Sequence, residues 1–501
     1  MRHAIPIAAL VVAACTSAPA PAPAPVTPAP APAAPVAAPA PQIDTVPPAL
    51  GPAPSVTLPP IDRRTLPNGM TLLVVEQHEL PLADFLLVVG SGTEADPAAR
   101  GGLASLTAGL LREGTTTRSA LQIAGQLSFL GADLSSGSGW DLSEVSLHTT
   151  TAQMDSALAL FADVVLHPGF AAKDVDRLKQ QRLTDLLQSR DRPRDIADRV
   201  YAAALYGAGH PYGRPATGTE QSTKAIAGAD VRRFYQTYYR PNNATLIVVG
   251  DVTPADIERR ASALFGAWQR RPVPQTRYPA ASAAAAKPTI YLVDKPGAPQ
   301  SSIRIGEIGV ARSTPDYFAL MVMNTILGGS FTSRLNQNLR EKRGFTYGAG
   351  SGFSMRRQPG PFVARAEVTG TKTDSSLIEF LGELRSIRDT VSSAELERAK
   401  RYLELQLPGD FETTGSIASQ LVPVVVYGLP LDFYSSYVRQ IENVTQADVQ
   451  RVARQYVDPS KMAIVVVGDR ASIEAGIRAL NIGDVVLRDV NGAAITGAAR
   501  P

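Results

Sequence analysis

The segment ADVRRFYQTYYRPNNATLIVVGD (229–251) overlays ADVQRVARQYVDPSKMAIVVVGD (447–469) without a gap, at a constant offset of 218 residues. Ala229, Asp230, Val231, Arg233, Tyr238, Pro241, Val248, Val249, Gly250 and Asp251 recur as Ala447, Asp448, Val449, Arg451, Tyr456, Pro459, Val466, Val467, Gly468 and Asp469. A repeat of this length restricts the fold more than any other feature, because the chain must build the same unit twice. Each copy reads as a helix beginning near the aspartate, a proline that ends it, and an apolar strand closed by Gly-Asp. Two copies are too few for a solenoid. The expectation is two homologous domains, 61–271 and 288–486, joined by a Pro/Ala-rich linker over 272–287 and followed by a flexible tail over 487–501.

Inside the first half, TLLVVEQ (71–77) and ADFLLVVGSG (83–92) read as strands, and DLSEVSLHTTT (141–151) alternates as a half-buried strand does. AQMDSALALFADVVLH (152–167) sets Met154, Leu158, Phe161 and Val165 on one helical stripe, and a second helix over 172–193 ends at a proline. Strand pairs followed by helices, repeated once, predict an α+β chain of two domains with mainly antiparallel sheets and flanking helices.

Lys and Arg number 49 against 46 Asp and Glu, a balance of +3 spread over 501 residues, which argues against nucleic acid as a partner. The opening MRHAIPIAALVVAAC (1–15) has a basic start and a short apolar run, too short to span a bilayer, as secretory signals do. Its VAAC end resembles a bacterial lipobox, which makes Cys15 the expected lipidation site. Thr16 in place of aspartate points to the outer membrane, so the chain is expected on the periplasmic side, held to the membrane only by its N-terminal lipid. Cys15 is the only cysteine, so no intramolecular disulfide can form. The Ala/Pro-rich stretch over 16–60 reads as an extended spacer.

LPNGMTLLVVEQHELP (66–81), GGLASLTAGLLREGT (101–115), GHPYGRPATGT (209–219), YYRPNNATLIVVGDV (238–252) and LGGSFTSRLNQNLREKRGFTYG (327–348) together resemble the pitrilysin/insulinase family of zinc metallopeptidases, in particular the branch of the mitochondrial processing peptidase subunits. The resemblance implies two similar α+β domains forming half of a clamshell that closes on a second half around an extended peptide. In active members, Gly-Leu-Ala is followed by H-x-x-E-H: two histidines one turn apart bind zinc, and the glutamate is the general base. Ser105, Ala108 and Gly109 stand in those places here. Serine is a poor zinc ligand, alanine cannot accept a proton, and glycine has no side chain. The motif is not elsewhere either, since His3, His78, His148, His167 and His210 are never closer than the 19 residues between His148 and His167. The family's third ligand falls near Thr184 or Asp185, which reads as a solvated helix position, and His148 and His210 read as structural. Ser105 has no base at helical reach in its own motif, so serine catalysis is poorly supported.

Active members also use an arginine and a tyrosine seven residues apart to bind substrate and stabilise the tetrahedral intermediate; the resemblance carries these roles to Arg340 and Tyr347. A guanidinium and a phenol are both donors that can meet charge developing on a carbonyl oxygen. Gly328 and Gly329 match the family's glycine-rich loop, expected to approach a partner or substrate backbone. The resulting expectation is a non-catalytic subunit, inactive alone, that binds no cofactor and contributes Arg340 and Tyr347 in trans to a homologous, zinc-carrying chain acting on unfolded peptides. The alternative is a lipid-tethered scaffold or peptide-capturing protein with no catalytic role.

Overall fold

The computed structural model describes residues 59–495 except 208 and 282–286. The signal segment, Cys15 and nearly all of the spacer therefore lie outside the described residues. The first half builds a six-stranded sheet from β1 (Ile61–Thr65), β2 (Thr71–Glu76), β3 (Leu82–Val89), β4 (Asp133–Ser138), β5 (Ser143–Thr150) and β6 (Ala244–Gly250), in the order β1-β2-β6-β3-β5-β4. The second builds another from β7 (Thr289–Asp294), β8 (Gln300–Ile308), β9 (Thr346–Phe353), β10 (Pro361–Thr369), β11 (Ala463–Gly468) and β12 (Asp484–Arg488), in the order β12-β7-β11-β8-β10-β9. The 218-residue offset carries β2 onto β7 and the helix Gly228–Tyr238 onto Gln446–Tyr456. Pairing is mainly antiparallel. The repeated strands are exceptions on one side, β6 lying parallel to β2 and antiparallel to β3 and β11 parallel to β7 and antiparallel to β8, and β12 also runs parallel to β7. This is the α+β architecture expected.

Central strands such as LLVV in β2 and the whole of β11 are buried on both faces, and the reason is a reciprocal exchange of helices. One face of the first sheet packs on helices of its own half, where Leu72, Val74, Phe85 and Leu87 meet Leu158, Phe161 and Val231. The other face, formed by Leu73, Val75, Leu86, Val88, Ile247 and Val249, is covered by the helix Thr414–Tyr427 of the second half through Ile417, Ala418, Leu421 and Val424. In return, the helix Pro193–Tyr206 of the first half lays Ile196, Ala197, Val200 and Tyr201 against Val293, Val465 and Val467 of the second sheet. Each fully buried aliphatic side chain contributes about 1.5–3 kcal/mol of transfer free energy, so a sheet without its borrowed helix would expose a large apolar face.

Polar groups fix the register between the halves. The buried Asp141 carboxylate accepts from Tyr212 Oη at 2.8 Å, the Arg357 backbone N–H at 2.8 Å and Tyr427 Oη at 3.2 Å. Arg304, 1% exposed on β8, donates from Nε to Asp198 at 2.6 Å and from Nη1 to Glu367 at 3.2 Å.

One expected boundary needs correction. The flexible tail does not begin at 487: β12 continues to Arg488 in parallel pairing with β7, and Leu487 packs on the second core. Arg199 Nη1 then donates to the Val490 carbonyl at 2.8 Å, and a turn through Ala494 closes the edge. The Gly/Ala composition after 490 hid the preceding Val-Val-Leu strand. Among the described residues no helix is long and apolar enough to cross a membrane.

Candidate functional site

The helix Leu103–Leu110 starts at Gly102, whose φ of 87° and close approach to Thr217 require glycine: a Cβ there would lie 2.3 Å from the Thr217 carbonyl oxygen. Asp96 caps this helix, accepting from the Gly102 N–H at 2.6 Å and the Ala104 N–H at 2.8 Å. Burial pushes the Asp96 carboxyl up to about 7 despite those bonds. Ser105 and Gly109 fall one turn apart, both partly accessible, as the motif comparison requires. The Ser105 hydroxyl turns back onto its own helix and donates to the Gly102 carbonyl at 3.2 Å. Ala108 is fully buried, and its carbonyl accepts from Ser136 on β4 at 2.7 Å. A Cβ built on Gly109 meets nothing within 4 Å. The scaffold of the metal helix is intact, and its ligands are gone.

Thr184 and Asp185, on the helix Ala172–Ser189, are both exposed, and the Thr184 hydroxyl is spent on the Gln180 carbonyl at 3.1 Å. From the same helix Arg182 donates to the Gly102 carbonyl at 2.7 Å, sharing that acceptor with Ser105. Burial lowers this guanidinium to about 10, and it still carries a positive charge at neutral pH. A cation beside a position with no anionic ligand opposes a dication, so the residues present do not fit zinc. Among the described residues no group of three or more His, Cys, Asp or Glu side chains could hold a metal ion. The described histidines are otherwise engaged. His148 pairs with Asp84 at 3.0 Å, and the buried His210 stacks on Tyr206 and accepts from the Tyr212 N–H at 3.1 Å through Nδ1.

In the second half, Arg340 lies in a wide, π-type turn, Asn336–Lys342, that ends at Gly344 with φ of 65°. Its guanidinium stacks on Phe331, with Cζ 4.2 Å from the ring centre, and Glu341 lies 3.3 Å from Nη1. That nitrogen is enclosed yet makes no hydrogen bond. Tyr347 stands at the start of β9, beside a bulge opposite Ala366 and Val368, with 92% of its surface exposed. Nothing in the sequence pattern singled out Phe331, itself 63% exposed, which meets Arg340 nine residues on, or Arg182, whose contact with Gly102 spans eighty residues. Gly328 does something other than expected. It is buried, and a Cβ there would fall 2.4 Å from the Ser351 backbone nitrogen of β9, so its small size serves packing within the domain. Gly329 is exposed, but a Cβ would press on Asn324 at 2.7 Å.

Two linked α+β halves, a helix with Ser105, Ala108 and Gly109 at the metal positions, no metal-holding cluster among the described residues, and a half-buried Arg340 with an exposed Tyr347 define a peptidase-like protein. Residues 72–220 match the family model for insulinase (peptidase family M16), and residues 225–403 match that for the peptidase M16 inactive domain. A solved structure of a peptidase M16 inactive domain from Pseudomonas fluorescens is similar at 30% identity and a TM-score of 0.76, covering 81% of this chain and 98% of that one. A protease from Helicobacter pylori shares the fold at 19% identity and a TM-score of 0.75, covering 82% of this chain and 100% of that one. An uncharacterized zinc protease of Mycobacterium tuberculosis is 29% identical over 434 residues, covering 85% of this chain and 98% of that protein. This chain belongs to the M16, or insulinase, family of peptidases, as a non-catalytic member.

Proposed function

We propose that this protein is the substrate-binding subunit of a heterodimeric zinc metalloendopeptidase acting on unfolded peptides. Its partner is a homologous chain that carries zinc, and the assembly is tethered by a lipid on Cys15 to the periplasmic side of the outer membrane. The carrying observation is the contrast between the two halves: Ser105, Ala108 and Gly109 offer no ligand set, whereas Tyr347 keeps an exposed phenol and the half-buried Arg340 keeps its guanidinium stacked on Phe331 with Glu341 3.3 Å from Nη1. An exposed phenol and a positioned guanidinium suit charge that develops on a substrate carbonyl oxygen in a chamber completed by another chain.

The test is co-purification with a homologue from the same organism that has an intact H-x-x-E-H helix, followed by peptide cleavage assays. The pair is expected to associate and cleave, and Arg340→Ala is expected to lower kcat/KM by about 10²–10³-fold with assembly intact. Unchanged turnover in the assembled variant would remove the in-trans role and leave the scaffold reading standing.

A further inference from the structure

A cavity of about 620 Å³ lies between the helices Ala172–Ser189 and Pro193–Tyr206, the loop near Arg214 and strand β10. Five of the arginines that line it, Arg182, Arg199, Arg214, Arg356 and Arg365, form no ion pair among the described residues. Their hydrogen bonds go to neutral oxygens or to nothing. Arg182 donates to the Gly102 carbonyl, Arg214 to the Ala98 carbonyl, and Arg199 to the Val490 carbonyl and the Ser189 hydroxyl. The Arg356 side chain donates no hydrogen bond, and its Nη1 is fully enclosed. It is held between two rings of the cavity wall, with Cζ 4.2 Å from the Trp140 ring centre and 4.5 Å from that of Tyr212.

Three lining carboxylates offset little of this charge. Asp195 is paired with Arg192, and Asp198 with Arg304, so only Asp185 remains unpaired. Desolvation is the largest effect on Arg182, Arg199, Arg214 and Arg356 and lowers all four, outweighing the nearby carboxylates of Asp96 and Asp185 at Arg182, Asp195 and Asp489 at Arg199, Asp96 at Arg214 and Asp141 at Arg356. An excess of enclosed guanidinium groups is costly unless an anion joins them.

We infer that this cavity binds a carboxylate-bearing peptide segment, the carboxylate against Arg356 and its neighbouring arginines and an adjoining apolar side chain against Trp140 and Val363. Guanidinium groups suit carboxylates because their forked donors match two oxygens at once. The mixed wall separates this ligand from a bare anion, since an inorganic phosphate would satisfy the arginines and leave the rings and Val363 uncovered. The choice of a peptide rests on the proposed function, and the volume suits a segment of a few residues. The carboxylate can come from a chain terminus or from an acidic side chain.

The test is calorimetric titration of the full chain, without any partner, using the N-acetylated tripeptide alanine-leucine-aspartate, its C-terminal amide, and the versions with asparagine. Trp140 emission serves as a local readout in a Trp268→Phe background. The free acid is expected to bind and shift Trp140 emission. Loss on amidation assigns the terminal carboxylate, and loss on changing aspartate to asparagine assigns the side chain; either supports the site. Arg356→Gln is expected to weaken binding tenfold or more. Arg365→Gln, at an exposed residue without a partner, is expected to weaken it several-fold while leaving the circular dichroism spectrum and melting unchanged. Binding that ignores both substitutions, no shift in Trp140 emission, or displacement by equimolar inorganic phosphate overturns the inference. With no partner in the cell, failure here leaves the cleavage assay free to succeed, and failure of cleavage leaves this titration informative.

Discussion

Gly109 shows most plainly what the metal helix has become. It lies inside the helix Leu103–Leu110, where glycine costs about 0.5–1 kcal/mol relative to alanine, and an added Cβ would meet no atom within 4 Å. Gly109→Ala is therefore expected to stabilise the chain by about 0.5–1 kcal/mol in urea unfolding; a destabilised variant would mean that the space is needed. Glu94 makes a second residue-level case. It is buried beside Asp141, and desolvation pushes its carboxyl from 4.5 up to about 8, with Arg357 and the Gly92 N–H opposing the shift. A carboxyl whose folded value exceeds its unfolded value keeps its proton in the native state after the unfolded chain has lost it. Its contribution is thus fully present below about pH 4.5 and declines towards about pH 8. Glu94→Gln keeps the acceptor for Gly92 and has no proton to lose, so its stability should fall less steeply across that window, by about 1.4 kcal/mol per pH unit. Parallel pH dependences for variant and parent would remove Glu94 as the cause. That Ser105, Ala108 and Gly109 offer no zinc-ligand set is legible in the sequence because ligand chemistry is a matter of residue type. The support of Arg340 by Phe331 was not, since a stacking contact leaves no periodic trace.

Several strands and helices followed from pattern alone. The apolar run opening at Thr71, the alternation through Leu147 and the stripe of Met154, Leu158, Phe161 and Val165 all stand where periodicity put them. Strand β4 did not, because Asp133–Ser138 is rich in serine and glycine, the composition of a turn; at the sheet edge its ladder is half open and needs few apolar side chains. The exchanged helices, Pro193–Tyr206 and Thr414–Tyr427, were not read from the sequence, and an amphipathic face specifies burial without naming the sheet that provides it. Leu421, 2% exposed, makes this testable: Leu421→Ala should cost about 2–5 kcal/mol. The accompanying loss of amide hydrogen-exchange protection should fall on β2, β3 and β6 in the other half of the chain. Loss confined to the second half would contradict the exchange.

The same arrangement governs how the chain folds. The repeat suggested two domains, and the sequence boundary at 272–287 does separate two sheets, but each sheet lacks one cover until the other half is present. Separately produced halves are expected to be poorly soluble and to bind hydrophobic dyes, and co-expressed halves to purify together as a folded pair. Independent, cooperative melting of either half would refute this. Crossed helices also bear on how such a chain could arise. A single ancestral half would have had an arm with nothing of its own to clasp and a bare flank that only a twin could shelter, so it would have lived as a pair. Joining two such copies end to end by gene duplication would preserve that embrace, and the 218-residue echo is the imprint such a fusion would leave.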